Sequence, residues 1–580
     1  MRPPLLLLLL AADLPAAAAQ GTARASPVGG RSDSAAVAKG ARRAQHAFER
    51  TRRAHLPIDF NDGRGACDAV IGRFCYWYRP PDERPPAEPE PIGQSRRLLL
   101  ARLDEAAARR PADDWIAGQR VRYLVEQGWA DAGVAAAREC RGSPWWCAAL
   151  EGYARHGARD YRGADSVYAV ALGRMPDAER CRWTDLSALL ADSDERRYRR
   201  VPCEERHALN DRIWWLARPL YSMPGHDLRT EHYARLTMAR MLRGASSPHG
   251  LTWGEDLARL VVRFGWPTWW TQPFGRPGAL ETPAALGHEP SPSFWFFAER
   301  SVPPDRLAGE TLEPPEWDPT RERPASRYAP PYARAFGEIR QAQVARFRRD
   351  GGFLTIGAFD FRRDTLFGGA EPEVALAVAR DPRTPPVVGL ALFPRSTGII
   401  AVIAPWAPAI VSIEARNDAE HRAARLRTLV DPPGRWLSDV LLFIPGAELP
   451  DSLEDAVPLA LRGTGVPRDR LVGLFWETYG EPAADSVEVE VTVVRGPKRR
   501  DVHPALGRTE CAPEGKASVA VRWRDAATPG GPNGRAVTVD LSALKPGRYV
   551  VAVAMLASGG SACTSREIEV TKDRAVEPVD

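Results

Sequence analysis

The sequence predicts a multidomain α + β protein, with N-terminal α-helical repeats, a mixed α/β segment and C-terminal antiparallel β-sandwich domains. Three observations lead there. Apolar residues recur at helical spacing from Arg96 onward, as in Leu98, Leu99, Leu100, Leu103 and Ala107, with Arg and Glu opposite. In the rear half the period shortens to two, clearest in Val487-Glu-Val-Glu-Val-Thr-Val493, which gives one buried and one wet face. The chain has 580 residues, and single cores stop growing at ~250–300, so several domains are required.

Taken in order, Arg2 precedes the apolar run Leu5–Leu10, then Ala11, Ala12, Leu14 and Ala16–Ala19, which reads as a signal peptide over 1–19 cleaved before Gln20. The run is too short to span a hydrocarbon core of ~30 Å. The other apolar stretch, Gly398–Ala404, is followed by Pro405 and Pro408, so the mature chain is expected not to span a membrane and to be periplasmic or extracellular. Residues 20–45 are Gly, Ala, Ser and Arg with few large apolar side chains, and read as a flexible leader. A small cysteine-bearing helical unit is expected over 46–79, then a proline-rich linker over 80–95, where Pro80–Pro91 cannot hold regular structure.

The 8 cysteines fall into sequence neighbours, suggesting disulfides Cys67–Cys75, Cys140–Cys147, Cys181–Cys203 and Cys511–Cys563 in an oxidising compartment. None of these pairs has C-x2-C spacing and no His stands at ligand spacing beside one, which disfavours zinc.

Residues 96–205 read as a helical-repeat domain. Trp146-Cys-Ala-Ala-Leu150-Glu-Gly152-Tyr-Ala154 continues through Asp160-Tyr161-Arg-Gly-Ala164 to Tyr168, Ala171 and Pro176. This resembles a tetratricopeptide repeat: small residues at the helix crossing, an aromatic on the second helix and a closing proline. Trp115 to Arg141, with Gly128-Trp129 at its turn, is a looser copy.

In the next segment, 206–335, Asp227 is placed to N-cap a helix through Met241. Leu260–Phe264 reads as a short strand, and Phe294–Phe297 as a second strand that could pair with it. The pattern resembles the GWxTD-domain proteins, an uncharacterised bacterial family. Trp253, Asp256, Arg259, the apolar run, Arg263, Gly265 and Pro267 match its motif, and Thr230–Arg235 matches a helix that precedes it. Thr252 stands where the family has Gly, and Glu255 where it has Thr. The resemblance implies structural roles: Trp253 packing on a sheet, Asp256 capping or pairing with Arg259 or Arg263, and Gly265 supplying a positive φ before Pro267. It implies no activity, since the family has none established.

A helix is expected around Ala335–Arg348. Strands follow at Phe353–Phe361, Glu373–Ala379, Val387–Leu392, Gly398–Ile403, Ala409–Ala415, Arg422–Leu429, Leu437–Phe443, Leu471–Tyr479, Ser486–Val494, Ala517–Arg524, Ala536–Leu541, Arg548–Leu556 and Arg566–Thr571. They divide into a β-rich domain over 336–450 and a sandwich over 451–575. Leu541-x-x-Leu544-x-Pro546-Gly547-Arg-Tyr549 in the latter resembles the turn and strand that end bacterial immunoglobulin-like sandwiches.

A net charge of +5 is small for this length, and lysine occurs only at Lys39, Lys498, Lys516, Lys545 and Lys572, so the basic side is almost all arginine. No basic motif stands out, which disfavours nucleic acid as a partner. No Gly-x-Ser-x-Gly elbow, phosphate-binding loop or His-Glu-x-x-His pair is present. Gly463-Thr-Gly465 is only a fragment of a dinucleotide motif, and Asp59-Phe-Asn61-Asp62-Gly63 reads as a turn rather than a calcium loop. His226, Asp227, Glu231 and His232 form the most reactive-looking group, but six residues put the two imidazoles on nearly opposite faces if both are helical. Capping and helix-surface roles account for Asp227 and Glu231. The doublets Trp145-Trp146, Trp214-Trp215 and Trp269-Trp270 could line a groove, although core packing is the commoner use of such residues.

The sequence therefore reads as an exported, non-enzymatic interaction or scaffold protein. It needs no cofactor, metal or catalytic residue, and binds a protein or cell-envelope component through its helical repeats and β domains. A polysaccharide binder using Trp145, Trp146, Trp214 and Trp215, and a divergent hydrolase around His226–His232 or Asp256, are the alternatives.

Overall fold

The computed structural model describes residues 28–59, 69–71, 74–77, 86–190, 195–196, 198–273, 285–288, 333, 335–430, 432–480, 486–496, 507–508, 516–526, 530–557 and 560–572. The proposed signal peptide and the Phe294–Phe297 strand lie outside them. A helical front half and a largely antiparallel β rear half, in which Ala335–Glu338 pairs parallel with Arg422–Val430 and Gly465–Pro467 with Gly560–Thr571, make a multidomain α + β arrangement.

The front half contains α1 (Val28–His55), α2 (Glu90–Arg109), α3 (Asp114–Glu126), α4 (Ala130–Glu139), α5 (Pro144–Gly157), α6 (Tyr161–Arg174), α7 (Asp177–Trp183), α8 (His207–Ala217), α9 (Asp227–Met241) and α10 (Glu255–Phe264). Local chemistry sets their ends. The Asp113 carboxylate accepts from the Trp115 and Ile116 amides at the start of α3, and Asp160 accepts from the Gly163 amide at the start of α6. Gly128, at φ 85°, turns α3 into α4. Gly152 lets α5 lie against the Tyr168 ring of α6, where a Cβ would be 2.9 Å from ring carbons. These pairs share a core with α9 and α10 that includes Val121, Leu150, Tyr168, Met238 and Val261.

Four expectations for this half need correction. The proline-rich linker does not reach residue 95, since α2 starts at Glu90 with Pro91 in its first turn, where the missing amide proton costs no helical bond. Residues 28–45 are not a flexible leader but part of the 28-residue α1. Beyond His55 the cysteine-bearing unit is not helical in its described residues. It supplies β1 (Ile58–Asp59), β2 (Ala69–Ile71) and β3 (Phe74–Trp77) to a five-stranded sheet with β4 (Trp269–Pro273) and β5 (Leu286–His288), in the order β1-β4-β5-β3-β2. The expected strand Leu260–Phe264 is the second half of α10. Leu257, Ala258, Val261 and Val262 are buried, whereas Glu255, Asp256 and Arg259 are exposed, a helical spacing that a five-residue apolar window cannot display.

The first β domain has β6 (Ala335–Glu338), β7 (Ala342–Arg349), β8 (Gly352–Asp360), β9 (Glu373–Ala379), β10 (Val387–Leu390), β11 (Thr397–Pro405), β12 (Ala409–Asn417) and β13 (Arg422–Val430). A five-stranded sheet, β10-β9-β12-β13-β6, faces a three-stranded one, β11-β8-β7, across a core of Phe353, Phe359, Leu376, Val411 and Ile413. The helix expected around Ala335–Arg348 is instead β6 and β7.

The second β domain has β14 (Leu441–Phe443), the short helix α11 (Leu453–Leu459), β15 (Gly465–Pro467), β16 (Leu471–Thr478), β17 (Ser486–Arg495), β18 (Gly507–Arg508), β19 (Ala517–Ala526), β20 (Asn533–Asp540), β21 (Gly547–Ala557) and β22 (Gly560–Thr571). Its three-stranded sheet, β14-β16-β20, covers a six-stranded one, β15-β22-β21-β17-β19 with β18 beside β22. Because β14 pairs with β16 and Leu437 bridges to Thr478, the boundary between β domains falls between Val430 and Leu437, not at residue 450. The Tyr549 hydroxyl donates to the Lys545 carbonyl oxygen at 2.9 Å, so the turn read from Leu541 to Tyr549 is pinned by its own tyrosine.

Polar groups lock the parts together. At the helical junction Glu414 accepts from the Tyr221 and Ser222 amides at 2.7 and 2.8 Å, and Arg425 donates to the Arg218 and Pro219 carbonyls at 2.9 and 2.7 Å. Beside them Leu186, Leu189 and Trp214 pack on Ala377, Ala379 and Ile410. Between the sandwiches, Arg346 grips Asp439 at 2.7 and 2.9 Å, and Gln343 donates to the Leu442 carbonyl and accepts from its amide.

Candidate functional site

The reactive-looking group lies where α9 crosses α5. His226 is the N-cap of α9, one residue before the expected Asp227. Its Nδ1 accepts from the Arg229 amide at 3.1 Å and its Nε2 donates to the Trp214 carbonyl at 2.6 Å. Burial, then Arg229 and Arg218, hold this imidazole well below its ordinary pKa. Asp227 is buried in the first turn, and burial pushes its carboxyl up to about 6. His232 packs on Trp214 at 5.3 Å, and burial, then Arg235, bring it down to about 3. Both imidazoles thus lie against Trp214 rather than on opposite faces, because His226 precedes the helix. Among the described residues no group of three or more His, Cys, Asp or Glu could hold a metal ion.

A chain of contacts passes through His156 of α5. Its Nδ1 meets Thr230 Oγ1 at 2.9 Å and its Nε2 meets Glu231 Oε2 at 2.6 Å. Glu231 also accepts from Arg235 Nε at 2.7 Å, and Arg235 donates to the Arg263 carbonyl at the end of α10 at 2.9 Å. Burial alone would raise the Glu231 carboxyl, but Arg235 and then His156 outweigh it and hold it well below the usual range. Hydroxyl, imidazole and carboxylate in a row is the order of a nucleophile, base and orienting acid. Here the hydroxyl is not available for that chemistry. Thr230 is fully buried, with its Oγ1 2.9 Å from both the Asp227 carbonyl oxygen and His156 Nδ1, so no substrate can reach it. The contacts tie α5, α9 and α10 together.

The tryptophan doublets do not form an open groove. Trp146 is buried and donates to the Asp114 carbonyl at 2.9 Å, and half-buried Trp145 meets Trp183 edge-on under Arg240. Trp214 is buried, Trp215 half-buried beside Tyr221, Trp270 buried under Arg52, and Trp269 stacked on His288 at 3.8 Å.

Among the motif residues, Trp253 packs on Trp266 in the helical core, not on a sheet. Asp256 and Arg259 are exposed on α10, Arg263 is half-buried, and Pro267 is buried. Gly265 ends α10 at φ 79°, the positive value expected of it. Cys140–Cys147 and Cys181–Cys203 are disulfides, and Cys563 is also disulfide-bonded. Cys67 and Cys511 lie outside the described residues, as does the Cys75 side chain.

Sequence reading missed a buried charge network between α1, α2 and α3. Glu49 accepts from Tyr123 at 2.6 Å and from Arg122 at 3.2 Å; Arg52 pairs with Glu126, and Arg96 with Glu88. Burial would raise the Glu126 carboxyl, but Arg52, Arg96 and Arg122 together hold it below its ordinary value. The available signal is Gln45, Glu49 and Arg52, a polar stripe at helical spacing that crosses the expected boundary between leader and cysteine-bearing unit. Ser542 and Lys545, at Ser-x-x-Lys spacing, were also passed over. Both are exposed in the turn before β21.

No family model matches the chain, and no curated protein matches it. Among solved structures, a DUF3823 family protein from Bacteroides ovatus is similar over 40% of this chain and 100% of that one, at 8% identity and a TM-score of 0.14. Likeness at that level carries no argument about fold or function.

Proposed function

We propose that the protein is an exported, non-enzymatic interaction or scaffold protein, built as a divergent GWxTD-type chain with tetratricopeptide-like helix pairs. The two disulfides fit an oxidising compartment, and among the described residues no helix is long and apolar enough to cross a membrane. The Gly152–Tyr168 crossing and the helix pairs α3–α4 and α5–α6 support the repeat reading.

One observation carries the interaction role. Leu390, Leu392 and Phe393 are 68%, 86% and 69% exposed along and just past β10, an apolar density that marks binding surfaces. In register, Val388 sits beside Ala377 and Leu390 beside Ala375. The Ala377 face of this sheet is already covered by the helical half, so a protein partner laid on β10 would continue that apolar contact outward. The sealed, fully bonded state of the His156–Thr230–Glu231 chain supports a non-catalytic role.

The test is affinity capture from a cell-envelope extract by full-length protein and by a Leu390→Ser/Leu392→Ser/Phe393→Ser variant. One defined protein, held by the parent and largely lost from the variant, is the expected result. Turnover of ester, glycoside or phosphodiester substrates, or tryptophan fluorescence that responds to wall glycans, would overturn the proposal.

A further inference from the structure

We infer that β19 is a dimerisation edge, which pairs antiparallel with the β19 of a second copy of this chain about a two-fold axis at Val521. β19 ends the six-stranded sheet and, among the described residues, has β17 as its one strand neighbour. The opposing sheet has three strands, too narrow to cover it. Val521 consequently stays 46% exposed although its cross-strand partner Val491 is buried, and Trp523 leans only partly under cover towards Trp476 at 6.5 Å. An open backbone edge coincides with uncovered apolar side chains, the combination that templates strand addition.

The strand's own sequence identifies the occupant. Ser-Val-Ala-Val-Arg-Trp-Arg, residues 518–524, is self-complementary about its centre. In the proposed register Val521 faces Val521 of the second copy, and Val519 faces Trp523, all on the uncovered inner side. On the outer side Arg522 faces Ala520 and Arg524 faces Ser518, so no like charges oppose one another. Moving the axis to Arg522 would set arginine against arginine, and moving it to Trp523 would set Arg522 against Arg524. Arg522 keeps its own bridges to Glu488 and Glu490, each at 3.1 Å. The ends of the strand are guarded. Asp525 pairs with Arg535 at 2.8 Å at one end, and a register shift at Val493/Val494 disturbs the ladder at the other, leaving the central residues available.

The full chain should sediment as a dimer that dissociates on dilution. Val521→Lys brings two ammonium groups together on the axis and should weaken dimerisation on the order of 100-fold or more. Val521→Glu should do the same, and an equimolar mixture of the two variants should dimerise again, a rescue that misfolding cannot mimic. Val521→Cys should form an intermolecular disulfide on oxidation, since directly opposed strand residues lie within bridging reach, whereas Ala520→Cys, opposite Arg522, should not. A parent chain that stays monomeric at its highest soluble concentration, or a dimer indifferent to Val521→Lys, would overturn the inference. Neither result bears on partner capture through β10, which is read separately.

Discussion

Strands β7 and β19 both end a sheet, and the molecule treats them in opposite ways. Along β7 the second sandwich supplies partners for the outer edge. The Arg346 amide donates to Asp439 Oδ2 at 3.0 Å, the Asp439 amide to the Arg346 carbonyl at 3.1 Å, and the Arg348 amide to the Tyr479 hydroxyl at 2.8 Å. Arg566 reaches the Val344 carbonyl at 2.6 Å. Along β19 no described strand does this service. A sheet edge closed by polar side chains from the next domain becomes an internal joint, because unmaking it strands buried donors and acceptors. An edge whose outer neighbour is solvent can change partners at little cost to the fold. Rigidity between domains and capacity for association therefore lie at different ends of the β half.

The largest effect should come from breaking the joint. Asp439→Ala leaves the Arg346 guanidinium and the Arg346 amide buried without their acceptor, and should cost about 3–5 kcal/mol in urea unfolding. A loss under about 1 kcal/mol would show that β7 is sealed less firmly than its contacts imply.

Acid should separate the helical half from the joint. Burial holds His232 at about 3 and His249 at about 4 in the folded state. The unfolded chain takes up these protons near pH 6.5, so their contribution is complete above that value and drains away as pH falls towards 4. Asp227, raised to about 6, has the opposite sign: its contribution is present below the ordinary aspartate range and is lost as pH rises through 6. It offsets one histidine between pH 6 and 4. His226 is likewise held well below its ordinary value, so three histidines stand against one aspartate and the net slope is about two protons, at most ~2.7 kcal/mol per pH unit. Hydrogen exchange at pH 5 should show the helices opening before β7, and His249→Asn should flatten the slope. An unchanged slope would refute the assignment.

Tyr479→Phe removes the acceptor for the Arg348 amide and a donor to Glu477, and should lower stability by about 1–2 kcal/mol. The smallest effect belongs to the open edge. Monomer unfolding of Val521→Lys should stay within about 0.5 kcal/mol of the parent, since the longer side chain can reach water. A larger loss would mean that β19 is part of the core.

Much of this fold was legible in the residues themselves. The alternation over 487–493 is the β17 burial pattern, Glu373–Ala379 matches β9 to the residue, and the paired helices of 114–174 stand in the segments whose small residues and Gly128 turn read as helix pairs. Neighbouring cysteines anticipated the bonds Cys140–Cys147 and Cys181–Cys203. Each of these signals is local, carried by apolar spacing, a cap or a short loop.

Tertiary structure alone decided where polar residues are buried. The 28–45 part of α1 is not legible as helix, because the buried face of this helix mixes Ala41 and Phe48 with Gln45, Glu49 and Arg52, whose partners Tyr123, Arg122 and Glu126 lie on another helix. β7 was read as helix because Gln343 and Arg346 look like surface residues until Leu442 and Asp439 meet them. His226, Glu231 and His232 likewise meet their partners, Trp214 and His156, only in the folded chain. Periodicity reports how apolar surface leaves water. It cannot report a buried charge, whose cost is met only by a partner that the folded chain brings from far along the sequence.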